Sequence, residues 1–179
     1  MKDIISVLIP ESELKKRIAE LGQQITGDFQ GESVHLICIL KGSVFFTCEL
    51  AQHIHVPLTM DFMRVASYGD GTTSSGIVRL SKDLDDSIEG KNVVVVEDIV
   101  DTGRTLSYLL KLFEQRKPKT LKLCTLLSKP ARRVTEIEGD YTGFEIPDKF
   151  VVGFGLDFAE HYRNLPYIGV IEELGDERE

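Results

Sequence analysis

Four consecutive valines, Val93–Val96, constrain the fold of this 179-residue chain more than any other segment. The run is too short for a helix, and an unbroken series of β-branched apolar residues is typical of a strand buried on both faces. A strand of this kind belongs to a mainly parallel sheet whose two faces are covered by helices. The run therefore predicts an α/β fold.

Three segments predict helices, because apolar residues recur in them at every third or fourth position. Their ranges are Glu11–Thr26, Ser43–His53 and Thr105–Gln115. The residues expected to face the core are Leu14, Ile18, Leu21 and Ile25 in the first helix, Val44, Phe45, Cys48 and Ala51 in the second, and Leu106, Leu109, Leu110 and Phe113 in the third.

Further short runs of strand-forming residues lie between and after these predicted helices. They are Val34–Leu40, Leu58–Val65, Ile77–Leu80, Leu121–Leu127 and Phe150–Val152. Strands that alternate with helices form βαβ units with right-handed crossovers and a mainly parallel, twisted sheet. Ligands of such sheets bind beyond the carboxyl ends of the strands, so the segments that follow strands are the candidate site.

Composition excludes several classes of function. The formal charge is −8, from 21 basic and 29 acidic residues, which disfavours non-specific nucleic-acid binding. The basic clusters Arg132-Arg133 and Lys117–Lys119 are therefore predicted to be solvated faces. No apolar stretch approaches the roughly 20 residues that cross a bilayer, so no membrane association is expected.

The cysteines and the N-terminus both indicate a cytosolic protein. Cys38, Cys48 and Cys124 lie on or beside apolar runs without CxxC spacing, so we expect reduced core thiols and no zinc site. The first residues show no basic segment followed by an apolar core, which a secretory signal would need. We therefore expect a cytoplasmic location.

The segment after the valine run carries three carboxylates within five residues, Glu97, Asp98 and Asp101. Like charges held close together are costly unless a cation or hydrogen-bond donors compensate them. Residues 102–105 (TGRT) then supply backbone N–H groups, two hydroxyls and a cation at the start of a predicted helix. A helix N-terminus stabilises a phosphate through its dipole and unpaired amides. The combination predicts a site for a ribose phosphate or a similar ligand.

Two other phosphate-binding motifs do not match the sequence. A P-loop needs GxxxxGK[ST] after a strand, whereas Gly90-Lys91 precedes the valine run. A Rossmann fold needs GxGxxG at the start of a helix, and Gly153-Phe154-Gly155 is only a fragment of that pattern. Taken singly, each acid could face water and Thr102 could cap a helix. Only the succession of strand, acids and loop indicates a site.

The segment Val93–Leu106 (VVVVEDIVDTGRTL) resembles the phosphoribosyl-pyrophosphate-binding motif of the type I phosphoribosyltransferases. Four further segments resemble the hypoxanthine–guanine members of that family and match them in order. They are Leu40–Ser43 (LKGS), Ser67–Gly69 (SYG), Leu126–Lys129 (LLSK) and Phe144–Arg163 (FEIPDKFVVGFGLDFAEHYR). With the first motif, these segments extend the resemblance over most of the chain, from about residue 34 to residue 169.

This resemblance implies the type I fold, a mainly parallel twisted sheet flanked by helices with a small hood subdomain. It implies one phosphoribosyltransferase domain over residues 1–179, whose hood is formed from N- and C-terminal segments. The implied activity is transfer of the phosphoribosyl group of phosphoribosyl pyrophosphate to hypoxanthine, and also to guanine, in purine salvage. The products are a purine nucleoside monophosphate and pyrophosphate, and the family further implies a homo-oligomer, a dimer or a tetramer.

The resemblance also implies roles for the acids and the phosphate loop. Glu97 and Asp98 hold the two ribose hydroxyls, directly or through Mg²⁺. Asp101 lies near the purine ring nitrogen and is the catalytic general base. The 5′-phosphate is wrapped by Asp101, Thr102, Gly103, Arg104 and Thr105. Arg104 stands where many purine enzymes of the family carry lysine, so a direct phosphate contact would have a different geometry.

Pyrophosphate contacts are implied at two other places in the chain. Lys41 and Gly42 form a pyrophosphate-binding loop, with a non-proline cis bond expected between Leu40 and Lys41. Arg163 is a pyrophosphate clamp, and Asp157 is a ligand of a second Mg²⁺.

The resemblance implies purine contacts from Lys129, Phe150 and Val151. Lys129 follows a predicted strand, and the other two lie within one. Lys129 directs its ammonium at the 6-oxo group, a donor that accepts hypoxanthine, guanine or xanthine and rejects adenine. Phe150 stacks on the purine, and Val151 offers its backbone to the base edge. Ser67 and Tyr68 lie in a predicted lid, residues 66–76, that closes over the reacting centre.

Two alternatives remain open at this point. The first is a relative that prefers xanthine or guanine, because contacts at the purine 2-position are mostly backbone. The second is a phosphoribosyltransferase fold that acts as an RNA-binding regulator, a reading that needs a concentrated basic face and that the charge of −8 disfavours.

Overall fold

The computed structural model describes residues 4–67 and 78–172, in which strands alternate with helices as the sequence predicts. The strands are β1 (Ile4–Ile9), β2 (Val34–Leu40), β3 (Leu58–Ser67), β4 (Val78–Lys82), β5 (Asn92–Val100), β6 (Thr120–Ser128), β7 (Tyr141–Glu145), β8 (Val151–Val152) and β9 (Ile168–Glu172). The helices are α1 (Glu11–Asp28), α2 (Val44–Gln52) and α3 (Arg104–Gln115), with a short 3₁₀ helix at Pro130–Arg132.

The main sheet has six strands in the order β4-β3-β2-β5-β6-β7. β3, β2, β5, β6 and β7 are parallel, and β4 joins the edge antiparallel to β3. Val96 of the central strand β5 lies beside Cys38 of β2 and Cys124 of β6. The carboxyl ends of these three strands therefore meet at one edge, and the predicted mainly parallel α/β sheet is confirmed.

The four valines are buried on both faces of the sheet, as predicted. Val94 and Val96 belong to the apolar core beneath α1 and α2, whereas Val93 and Val95 pack in the core beneath α3. All four have no exposed surface. Because successive strand residues point to opposite faces, such a run can only lie between two layers of helix.

A second, three-stranded sheet joins the two ends of the described chain in the order β1-β9-β8. Ile5 of β1 lies opposite Ile171 of β9, and Val151 of β8 lies opposite Val170 on the other side. The sequence analysis did not predict β1, β7 or β9. The division of the chain into one domain with a hood stays a prediction.

The predicted inward face of α2 is wrong for Phe45 and Cys48, whereas Ala51 is partly buried and packs against the core. Phe46, Thr47 and Leu50 are the buried residues of this helix, whereas Phe45 is 44% exposed and Cys48 also faces out. Apolar residues lie all round α2, so their spacing does not select one face. Thr47 can be buried beside Phe46 and Leu50 because its hydroxyl donates a hydrogen bond to the Ser43 carbonyl at 2.8 Å.

Two other expectations have mixed outcomes. Cys38 and Cys124 are buried free thiols as predicted, whereas Cys48 is exposed and is not a core thiol. Leu110 of α3 is only partly buried, although it packs against the core with Leu106, Leu109 and Phe113. Within the described ranges, no helix is both long enough and apolar enough to cross a membrane.

Two adjacent phenylalanines test the observed face of α2. Phe46→Ala should lower the free energy of unfolding by about 3–5 kcal/mol, because it leaves a cavity in the core. Phe45→Ala should lower it by less than about 1.5 kcal/mol, because the ring is already half in water. Denaturant unfolding of both variants measures the difference, and equal losses would contradict the assignment of Phe46 to the core.

Candidate active site

The candidate site lies where β5 ends, at the centre of the main sheet. β5 pairs with β2 on one side and with β6 on the other, so the loops that follow the three strands converge here. A cavity of about 210 Å³ opens at this edge. Its lining includes nine residues of the predicted sugar-phosphate segment, among them the polar residues and the glycine Glu97, Asp101, Thr102, Gly103, Arg104 and Thr105.

Glu97 and Asp98 are adjacent carboxyl groups with raised pKa values. Burial is the main reason that the pKa of Glu97 lies well above its usual range, and the neighbouring Asp98 charge raises it further. Burial also raises the pKa of Asp98 to about 6, although the Ile99 N–H, which donates to Asp98 Oδ1 at 2.6 Å, and the Arg163 charge act in the opposite direction. Glu97 Oε2 is buried and accepts no hydrogen bond from any described residue.

Asp101 directly follows β5, and its carboxylate faces Arg132. Arg132 Nε is 3.1 Å from Asp101 Oδ1, and the two side chains are 47% and 40% exposed. The Oδ1 atom itself is buried, and none of the described donors makes an aligned hydrogen bond to it. This oxygen is therefore shielded from water and paired with a charge, while the 40% exposed side chain as a whole keeps lone pairs for a ligand donor.

The loop of residues 102–105 is the N-terminus of α3, which begins at Arg104. Gly103 precedes the helix with φ of +81°, and a Cβ there would overlap Thr135 Oγ1. The positive φ favours glycine at this position, and any other residue would also require the Thr135 hydroxyl to move. The Val134 N–H and the Thr135 hydroxyl both donate to the Thr102 carbonyl, at 3.1 and 3.3 Å, and fix the loop from behind. The Arg104 N–H donates to Thr102 Oγ1 at 3.5 Å, and residues 102–105 line the cavity at the start of the helix.

The loop after β2 packs directly against the acids. The peptide bond between Leu40 and Lys41 is cis, as the resemblance led us to expect. A Cβ on Gly42 would overlap the Asp98 carboxylate, and a Cβ on Gly155 would overlap the Gly42 carbonyl. The segment at Gly155 therefore approaches the loop after β2 at backbone distance, which glycine allows, and the Asp98 carboxylate lies directly against Gly42.

Two cations near this loop are tied to carboxylates of the segment 157–163. Lys41 Nζ donates to Glu160 Oε2 at 2.9 Å. Arg163 lies 2.8 Å from Asp157 Oδ1 and donates from Nη1 to the Gly155 carbonyl at 2.7 Å. Lys41, Asp157 and Arg163, which the resemblance assigns to pyrophosphate and metal, thus form one charged cluster with Glu160.

The predicted purine contacts lie beyond β6 and around β8. Lys129 follows β6 and is only 6% exposed, and its N–H donates to the Val100 carbonyl at 3.0 Å, which places it beside the end of β5. Phe150 is 55% exposed and meets Phe158 edge to face, with ring centroids 5.6 Å apart. Val151 is buried in β8.

Part of the predicted site is not described. Tyr68 and most of the predicted lid, residues 66–76, lie outside the described residues, and Ser67 is described only as the backbone end of β3. The predicted lid therefore stays a prediction.

Sequence reasoning missed two residues of the site, Arg132 and Glu160. The Arg132-Arg133 pair was expected to be a solvated face, but Arg132 reaches Asp101, and Arg133 donates to Ser128 Oγ at 2.7 Å. Their position directly after Lys129-Pro130, at the carboxyl end of a predicted strand, is the signal that could have found them. Glu160 offered no signal beyond its place inside a matched segment.

Glu97 and Asp98 supply the carboxylate oxygens that Mg²⁺ prefers. Within residues 4–67 and 78–172, no group of three or more side chains is arranged to hold a metal ion by itself. A metal at this place would therefore need ligands from a bound substrate, which is how proteins usually hold Mg²⁺ beside phosphates.

Residues 10–159 match the family model of the phosphoribosyl transferase domain. A hypoxanthine-guanine phosphoribosyltransferase from Bacillus subtilis (strain 168) is 52% identical over 170 residues, covering 95% of this chain and 94% of that protein. A bifunctional protein, TilS/HprT, from Listeria monocytogenes serotype 4b (strain F2365) is 54% identical over 170 residues. That match covers 95% of this chain and only 26% of the longer protein.

A solved structure shows the same likeness in three dimensions. The crystal structure of a hypoxanthine-guanine phosphoribosyltransferase from Bacillus anthracis str. 'Ames Ancestor' aligns with a TM-score of 0.91 at 48% identity. The alignment covers 96% of this chain and 100% of that one. The chain therefore belongs to the phosphoribosyltransferase family, among its hypoxanthine-guanine phosphoribosyltransferases.

Proposed function

We propose that this enzyme transfers the phosphoribosyl group of phosphoribosyl pyrophosphate to hypoxanthine and guanine, giving a purine nucleoside monophosphate and pyrophosphate. One observation carries the proposal. Glu97 Oε2 and Asp101 Oδ1 are buried acceptors that take no hydrogen bond from the described part of the chain, and the residues that carry them line the phosphate-loop cavity. Buried acceptors without donors are costly, so the site suits a ligand that brings hydroxyl and ring N–H donors.

The ribose 5′-phosphate fits the end of β5. The phosphate would accept hydrogen bonds from the amides and hydroxyls of residues 102–105, where the α3 dipole favours an anion. The ribose hydroxyls would donate to Glu97 and Asp98, which explains why two acids stand in a partly buried strand end. Arg104 is exposed at the first helical position and adds a cation beside the phosphate.

Glu97 and Asp98 also fit a Mg²⁺ ion, because an orphaned carboxylate oxygen and a neighbouring carboxylate are hard oxygen donors. When bound there with substrate oxygens, Mg²⁺ would supply positive charge against the leaving pyrophosphate. Asp157 is a weaker candidate for a second ion in this state, because its carboxylate is paired with Arg163 at 2.8 Å. That pair would have to open first.

The purine would lie between Phe150 and the end of β6. Phe150 is exposed enough to stack on a base, and its ring lies nearly perpendicular to the ring of Phe158. Lys129 is nearly buried beside the end of β5, so an ammonium donor is available for a 6-oxo group. The 6-amino group of adenine would leave that donor unpaired, which costs binding energy. The backbone of Val151 would meet the base edge.

The reaction is a displacement at C1′ of the sugar. The bond from C1′ to the pyrophosphate oxygen breaks, a purine ring nitrogen forms the new bond to C1′, and Asp101 accepts the proton that this nitrogen loses. Negative charge accumulates on the pyrophosphate, where Lys41, Arg163 and the amides beside Gly42 would stabilise it. Lys41 would have to leave Glu160 for this role, since the two are 2.9 Å apart.

Several finer properties belong to the same proposal. The buried free thiols of Cys38 and Cys124 suit a reducing compartment and thus a cytoplasmic enzyme. A homo-oligomer, dimeric or tetrameric, is proposed from the family alone. The RNA-binding alternative gains no support, because Arg132 and Arg133, the clustered arginines near the site, are engaged with Asp101 and Ser128.

A substrate panel tests the proposed reaction. The protein is incubated with magnesium, phosphoribosyl pyrophosphate and one base at a time, and the nucleotide formed is measured by chromatography. Hypoxanthine and guanine should give product, whereas adenine and uracil should give at most about a hundredth as much. Absence of product with every 6-oxopurine would overturn the proposal, and preferential use of xanthine would correct its substrate.

A substitution at Asp101 tests the assignment of the base. Asp101→Asn should lower kcat by about 10²–10⁴-fold, because the amide cannot accept the ring proton. The KM for phosphoribosyl pyrophosphate should change by less than about threefold, because the phosphate amides are untouched. Steady-state kinetics measures both constants, with Asp83→Asn, an exposed residue paired with Arg116, as the matched control. Equal losses in kcat and in binding would assign Asp101 to binding instead.

A further inference from the structure

We propose that Arg132 is a positioning residue that couples the catalytic base, Asp101, to the purine-binding loop. Its guanidinium lies between two carboxylates from different parts of the chain. Nε is 3.1 Å from Asp101 Oδ1, and Nη1 is 3.5 Å from Asp148 Oδ1. The inference rests on the proposed function, because it takes Asp101 as the base and residues 146–150 as part of the purine site.

The backbone around Arg132 is fixed to the strand end that carries Asp101. On one side the Lys129 N–H donates to the Val100 carbonyl at 3.0 Å, and on the other the Val134 N–H donates to the Thr102 carbonyl at 3.1 Å. Between these anchors Arg132 completes the 3₁₀ helix, and its own N–H donates to the Lys129 carbonyl at 3.2 Å. The backbone that carries the Arg132 side chain is therefore held in place beside Asp101.

The contact with Asp101 leaves the acid able to react. The Arg132 charge lies against Oδ1, and that oxygen is buried, yet no aligned hydrogen bond from the described residues occupies it. An aligned two-pronged arginine would occupy a lone pair on each carboxylate oxygen. The offset contact at Oδ1 instead restrains the direction of the carboxylate, and the exposed part of the Asp101 side chain, which is 40% exposed, keeps acceptor capacity for the ring N–H of the purine.

The second contact reaches the loop that carries the purine platform. Asp148 lies between β7 and β8, two residues before Phe150. The start of this loop is fixed by the Ile146 N–H, which donates to the Ser128 carbonyl at 2.9 Å. Arg132 holds the far part of the loop through Asp148. One side chain thus sets the distance between the base that accepts the proton and the platform that holds the purine.

Stability is not the role of these contacts. Arg132, Asp101 and Asp148 are 47%, 40% and 54% exposed, and ion pairs between side chains in water contribute little to folding. Positioning errors near 1 Å, by contrast, can lower a rate by about a hundredfold. The loss of Arg132 should therefore appear in kinetics and not in the unfolding transition.

Steady-state kinetics with hypoxanthine and phosphoribosyl pyrophosphate tests the coupling. Arg132→Gln should lower kcat by about tenfold or more and raise the KM for hypoxanthine by about threefold to tenfold. The KM for phosphoribosyl pyrophosphate should stay within about twofold of that of the unsubstituted protein. Arg132→Lys should recover most of kcat while the hypoxanthine KM stays raised, because one ammonium cannot span both carboxylates. Asp148→Asn should raise the hypoxanthine KM and leave kcat within about twofold.

Arg116→Gln is the matched control, since Arg116 pairs with Asp83 at 2.8 Å on another part of the surface. Arg132→Gln kinetics equal to those of Arg116→Gln would overturn the role of Arg132. A fall in the thermal midpoint of Arg132→Gln that accounts for its lost activity would also overturn it, by making the residue structural. Absence of turnover in the unsubstituted protein would instead overturn the proposed function, so the two failures are distinguishable.

Discussion

The burial of β5 between two layers of helix is the constraint on which the rest of the site depends. Val93 to Val96 have no exposed surface, so the strand can only run through the middle of the sheet. Its carboxyl end must then emerge at the centre of the sheet edge, where the loops after β2 and β6 also emerge. Glu97, Asp98 and the start of α3 are placed in this shared space by the strand that precedes them.

The same placement makes the negative charge of Glu97 unfavourable in the folded protein. Burial and a neighbouring charge raise the pKa of Glu97, so its folded form binds a proton more tightly than its unfolded form does. Such a group lowers stability as the pH rises from its unfolded pKa through the raised value. At neutral pH the buried Glu97 carboxyl therefore lowers the free energy of unfolding, and hydroxyl donors or a cation from a ligand would relieve this cost. Around it, Lys41, Glu160, Asp157 and Arg163 compensate one another internally.

Much of this arrangement could be predicted from sequence because local signals agreed with the fold. The run Val93–Val96 predicted the central strand, and the acids that follow it indicated the candidate site. The signals failed where tertiary contacts decide. The face of α2 was mispredicted because hydroxyl bonds within the helix allow Thr47 to be buried. β1 and β9 pair with each other although they lie at opposite ends of the described sequence, and such a distant pairing cannot be read from a local pattern. The contact of Arg132 with Asp101 depends on the turn after Lys129, which is held against the Thr102 carbonyl by the Val134 N–H.

The most direct measurement of the central claim is a crystal structure of the protein with bound inosine monophosphate. The account predicts phosphate oxygens on the amides of residues 102–105 and a ribose hydroxyl within about 2.6–3.2 Å of Glu97 Oε2. It also predicts the purine against Phe150, with the Lys129 ammonium at the 6-oxo group. A nucleotide whose phosphate lies away from the start of α3, with Glu97 Oε2 still lacking a donor, would contradict the account.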